Sequence, residues 1–96
     1  MNAQIIRSNG EMDRIFPRDG EHFQLEELRE AISGGYIEMH AVFTPAGLKM
    51  LMFIDEEGKL KNLPENPLAT ALFQHTYGPL DYIAGDALLC REDQVE

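Results

Sequence analysis

The sequence predicts an α+β domain. We expect a mostly antiparallel sheet of five to six strands with two helices packed on one face, in the order ββαβββαβ. Three observations carry this. Gly34 to Ile54 reads as a β-hairpin: Tyr36–Phe43, a Thr44-Pro-Ala-Gly47 turn, then Leu48–Ile54. Two segments, one around Leu25–Ile32 and one opening at Asn66-Pro67, carry helical spacing. Short apolar runs at both ends of the chain, Ala3–Arg7 and Asp86–Cys90, supply further strands.

Residues 1–17 form an N-terminal hairpin in this reading. Asn9-Gly10 separates two short apolar segments, and both residues tolerate the positive φ of a type I′ turn. Pro17 ends the second strand or holds it at an edge, because it donates no ladder hydrogen bond. Arg18-Asp-Gly-Glu21 is a turn.

The first helix runs over Leu25–Ile32, with Leu25, Leu28, Ala31 and Ile32 on one face. Gln24 is a poor cap, but Phe23 and Leu28 stand at staple positions and Glu27 at the third helical residue. Glu26 and Glu27 lie at the positive end of the helix dipole. Ser33-Gly34-Gly35 ends the helix, with glycine taking the left-handed closing conformation.

In the central hairpin, Ile37, Met39, Ala41 and Phe43 share one face of the first arm. Tyr36, Glu38, His40 and Val42 share the other, more polar face. The second arm is apolar on both faces over Met50–Ile54, which marks an interior strand. Asp55-Glu-Glu-Gly58 is a turn, and Lys59–Leu63 a short strand returning beside the second arm. Asn66 then caps a helix whose first residue is Pro67, with Leu68, Ala69, Leu72 and Phe73 as its apolar stripe and its end near His75 or Thr76. Asp86–Cys90 is the last strand, and 92–96 a frayed acidic tail.

The 96 residues make a single domain, 1–96. A 44% hydrophobic and 26% charged composition is that of a globular chain. Eight basic against seventeen acidic residues give a net charge of −9. That opposes direct nucleic-acid binding, which needs a basic footprint, and opposes an anionic membrane surface. It suits a basic protein partner, or imitation of nucleic acid. The single cysteine, Cys90, excludes an internal disulfide and fits a reducing compartment. Met1–Arg7 lacks the pattern of a signal peptide, and the longest apolar run, Met50–Ile54, is far too short to span a bilayer. The expectation is a cytoplasmic location.

His22, His40 and His75 stand alone in sequence, without the spacings of a zinc site. Cys90 sits in a strand with no base beside it, as a buried apolar residue does. Asp55-Glu-Glu-Gly58 lacks the alternating ligands of a calcium loop. We therefore expect no metal, no cofactor and no catalytic residue. Glu38 and His40 project from the same side of one strand, and an imidazole beside a carboxylate is the one pair that could move a proton. An ordinary ion pair is the plainer reading. With Tyr36 they form the candidate binding strip.

The motifs Gly34-Gly-Tyr-Ile-Glu38, Asp55-Glu-Glu-Gly-Lys-Leu60, Leu63-Pro-Glu-Asn66, Ala69-Thr70 and Ile83-Ala-Gly-Asp-Ala-Leu-Leu89 follow one another in order. This pattern, over Leu28–Leu89, resembles a small domain-of-unknown-function family spread through phages, plasmids and bacterial genomes. The resemblance implies a mobile-element setting, in which small acidic proteins act on host machinery. It implies no activity, cofactor or catalytic residue. Function then reads as a non-catalytic accessory protein that binds another protein, with homodimerisation allowed. The alternatives are an acidic, DNA-imitating inhibitor of a host defence system and a small enzyme. A pocket joining Glu38, His40 and Cys90 would favour the enzyme.

Overall fold

A computed structural model describes residues 3–95. The hairpin 1–17 and the tail 92–96 therefore each reach residues (1, 2 and 96) outside the described ones. Five strands form one antiparallel sheet: β1 (Gln4–Ile6), β2 (Met12–Arg14), β3 (Ile37–Phe43), β4 (Lys49–Asp55) and β5 (Ala87–Cys90). Two helices, α1 (Leu25–Ile32) and α2 (Pro67–Tyr77), complete the expected α+β class. The spatial order is β2-β1-β5-β4-β3. The last strand thus enters between the two hairpins and joins them into one sheet.

The helices do not share a face. The central strands are buried on both sides, so each face needs its own cover. Leu51, Phe53, Leu88, Cys90 and Ile5 pack with Phe23, Leu28, Ala31 and Ile32 of the α1 segment. Met50, Met52, Ile54, Ala87, Leu89 and Ile6 pack with Ala69 and Phe73 of α2. Apolar residues at both parities of β4 carry that information, and two helices on one face would have left Leu51 and Phe53, or Met50 and Met52, in water.

The short strand expected over Lys59–Leu63 is a run of turns instead. Both edges of β4 are taken, by β3 and β5, so no ladder remains for a strand that follows it. The loop packs back on the 84–85 segment. A Cβ on Gly58 would lie 2.7 Å from the Ala84 carbonyl oxygen, so only glycine permits the approach.

Local chemistry explains the other ends. The first hairpin turns over three residues, not two: the Gly10 N–H donates to the Arg7 carbonyl and the Arg7 N–H to the Glu11 carbonyl, with Gly10 at φ 94°. Asn9 keeps a negative φ and accepts the Glu11 N–H on its side chain. This is a type I turn closed by a glycine bulge, not a type I′ turn. α1 begins where expected because buried Glu27 accepts the N–H groups of Gln24 (2.8 Å) and Arg18 (2.7 Å), making up for the weak cap. Its left-handed closing residue is Ser33, φ 55°, rather than a glycine. Over residues 92–95 the tail is docked, not frayed. Glu92–Gln94 form a 3-10 turn, Phe23 N–H donates to the Gln94 carbonyl at 2.7 Å, and Val95 packs on the α1-side core.

Candidate functional site

β3 is an edge strand, and Tyr36, Glu38 and His40 occupy alternate positions leading into and along it. Alternation sends Glu38 and His40 to the α2 face of the sheet. Glu38 and His40 meet, with Oε1 3.5 Å from Nε2. The His40 ring is set edge-on to Phe73, centroids 5.1 Å apart, and lies 6.3 Å from Tyr77. The C-terminal half of α2 therefore covers the far end of the strip, while Glu38 and Tyr36 remain at the surface. Tyr36, 64% exposed, stands apart from the pair and borders an open depression with Glu56, Glu57 and Leu60.

Glu38 also lines a cleft with Glu56, Lys59, Asp81 and Tyr82. The Lys59 ammonium pairs with Asp81 and lies 4.5 Å from the centre of the Tyr82 ring. That pairing, with the Tyr82 N–H at 2.8 Å, holds the Asp81 carboxyl below its ordinary range. Sequence reasoning missed Lys59, Asp81 and Tyr82. Lys59 and Asp81 are 22 residues apart and fall in loops, so no periodicity links them.

The cleft beside Glu38 has a volume of about 90 Å³. Enclosing a small-molecule substrate usually takes about 300 Å³ or more. Cys90 does not join the pair. It is fully buried in the α1-side core, on the opposite face of the sheet from His40, and burial pushes its thiol up to about 12. A thiol so placed is neither ionised nor reachable at neutral pH. Among the described residues, no three histidine, cysteine, aspartate or glutamate side chains gather as a metal site would require. Nor is any helix of the described residues long and apolar enough to cross a membrane. What the strip offers is a half-exposed carboxylate 3.5 Å from an imidazole, on an accessible strand edge.

A family model described as a domain of unknown function, DUF3846, matches residues 2–96. The match extends beyond the motifs of Leu28–Leu89 to the N-terminal hairpin and the docked tail. No curated protein and no solved structure matches the chain.

Proposed function

We propose that this chain, which belongs to the DUF3846 family, is a non-catalytic accessory protein that binds a basic partner protein through the strip at Tyr36, Glu38 and His40. The observation that carries the reading is the composition of this face. Tyr36 and the 82%-exposed Leu60 border an open depression with Glu56 and Glu57, and Glu56 also lines the neighbouring cleft of Glu38. Exposed aromatic and aliphatic side chains among carboxylates are what a partner with an apolar centre and a basic rim would cover. The net charge of −9 favours the encounter at low salt. A phage- or plasmid-borne protein acting in a bacterial cytoplasm is the setting we propose, and a buried free thiol at Cys90 suits a reducing compartment.

The test is an affinity capture from a bacterial host lysate, run in parallel with the wild-type chain and with Tyr36→Ala and Glu38→Lys. A protein retained by the wild type and lost by both variants, with their folds intact by circular dichroism, supports the proposal. Equal retention by all three overturns it. A captured nuclease displaced by duplex DNA would replace it with the DNA-imitating inhibitor.

A further inference from the structure

We infer that the open half of the β3 edge accepts an extended segment of the partner as an added strand, with basic and apolar side chains alternating along it. The inference rests on the protein-binding reading above and specifies its mode.

The argument starts from where the backbone of β3 points. Even-numbered residues bond toward β4: the Thr44 N–H donates to the Leu48 carbonyl, and the Tyr36 carbonyl accepts the Glu56 N–H. The odd-numbered residues Ile37, Met39, Ala41 and Phe43 therefore present their N–H and C=O groups outward. Two of them are already covered by α2. The Phe43 N–H donates to Thr76 Oγ1 at 2.9 Å, and the Tyr77 hydroxyl donates to the Ala41 carbonyl. Among the described residues, nothing bonds the outward groups of Ile37 and Met39.

Sheet edges are usually blunted by short length, charge, lysine or proline. The other edge follows that rule. β2 has three residues, its Asp13 is paired with Arg7 at 3.0 Å, and Pro17 follows. β3 has seven residues, Ile-Glu-Met-His-Ala-Val-Phe, with no lysine, arginine or proline. Its one acidic charge is Glu38, and the edge is closed by α2 at one end only.

The surfaces on its two sides differ, and this defines the occupant. On the α1 face, Leu25, Leu28, Ile37, Met39, Phe53 and Val95 line an apolar groove of about 270 Å³. Met39, 53% exposed, forms its outer wall. On the α2 face, the 46%-exposed Glu38 side chain stands with Glu56 and Asp81, against Lys59 as the one cation lining that cleft among the described residues. A strand added here sends alternate side chains to the two faces. Those on the α1 side must be apolar, and those on the α2 side basic. A second copy of this chain fits worse. Pairing the open residues Ile37 and Met39 with each other across a two-fold axis sets Glu38 against Glu38, and like charges directly opposite destabilise a strand pair.

The test uses a short synthetic peptide alternating lysine and valine, with one alternating glutamate and valine as control. Amide hydrogen exchange is followed by NMR. In the free chain the Ile37 and Met39 amides exchange fast, while those of Glu38 and His40 are protected. With the lysine peptide bound, the Met39 amide should slow by about tenfold or more, and Glu38→Lys should weaken binding by about tenfold. Three results overturn the inference: no binding of the lysine peptide, equal binding of the glutamate peptide, or binding that leaves the Met39 amide unprotected. Protection of Met39 through self-association would give the edge to a second copy and overturn the occupant. A natural partner lost on Glu38→Lys while the Met39 amide stays unprotected leaves the protein-binding reading standing and removes only this mode.

Discussion

Asn66 donates a hydrogen bond from Nδ2 to the carbonyl oxygen of Ile6 at 2.8 Å, across 60 residues of chain. The same nitrogen donates to the Gly85 carbonyl at 2.9 Å, and Oδ1 accepts the Ala69 N–H at 3.1 Å. A side chain expected only to cap α2 thus also ties the helix start to the end of β1 and to the turn before β5. It is fully buried, and both ends of its amide are satisfied.

Replacing Asn66 should accordingly cost more than a helix cap. Asn66→Ala removes the cap, worth about 1 kcal/mol, and leaves the Gly85 carbonyl without its donor at about 1–3 kcal/mol, while the Ile6 carbonyl, opposite Ala87 in the sheet, keeps its ladder partner. A loss of about 2–4 kcal/mol is expected in urea denaturation, a large share of the roughly 5–15 kcal/mol of a small domain. Asn66→Asp keeps the acceptor but aims a carboxylate at two carbonyl oxygens. It should be no better at neutral pH and should recover partly in acid, where the carboxyl regains a donor.

The contrast between the two roles of Asn66 shows what could be read from sequence. Its cap was legible because it is local: Asn66, Pro67 and the apolar stripe lie within a few residues. The same holds for α1 and for the existence of both hairpins, written in neighbouring residues, although the turn type at Asn9-Gly10 was not. The ties to Ile6 and Gly85 were not legible, because they exist only once β5 has inserted between β1 and β4. The placement of the helices failed for a related reason. Both parities of β4 read as apolar, which called for two covers, but periodicity along α1 and α2 says nothing about which face each will take. In the candidate strip, the meeting of Glu38 and His40 followed from strand alternation. The Lys59–Asp81 pair and the covering of His40 by Phe73 and Tyr77 arise from loop and helix placement, which leave no spacing to read.

Cys90 should behave as a core residue. With the thiol pushed up to about 12 and no exposed surface, it should resist a thiol reagent such as DTNB at pH 8 in the native chain. It should then react stoichiometrically in denaturant. Cys90→Ala should cost about 1–2 kcal/mol through the small cavity it leaves. Fast native labelling at a rate independent of denaturant would show the α1-side core to be open.

Two carboxylates should make the fold sensitive to acid. Asp81 is held below its usual 3.8 by Lys59 and the Tyr82 N–H, and Asp19 by the N–H groups of Glu21 and His22. A folded-state pKa below the unfolded value adds stability that is present above about pH 4 and is lost as pH falls through the folded pKa. Asp19→Asn and Asp81→Asn should therefore melt below the wild type at pH 7, with the gap closing toward pH 2. Both groups are solvent-exposed, so the differences should shrink in high salt. Melting curves recorded across that range with and without added salt check both statements. A gap that widens in acid would contradict them.

The covering of the β3 edge by α2 sets a further expectation. Tyr77→Phe removes the hydroxyl that bonds the Ala41 carbonyl, and Thr76→Val removes the acceptor of the Phe43 N–H. Each should cost about 0.5–1.5 kcal/mol, the net worth of one hydrogen bond, because both sites lie at the surface and water can take the freed group. The larger consequence is for the edge. With both caps gone, the outward groups of Ala41 and Phe43 join those of Ile37 and Met39, and the open edge grows from half of β3 to its whole length. The double variant should show faster exchange at the Phe43 amide and concentration-dependent association through β3, since the lengthened edge allows registers that do not set Glu38 against Glu38, and a long edge without lysine or proline pairs readily with another. Sedimentation velocity over a range of concentrations, beside hydrogen exchange at Phe43, measures both. If exchange at Phe43 rises while the double variant stays monomeric, the two caps hold α2 in place without guarding the edge.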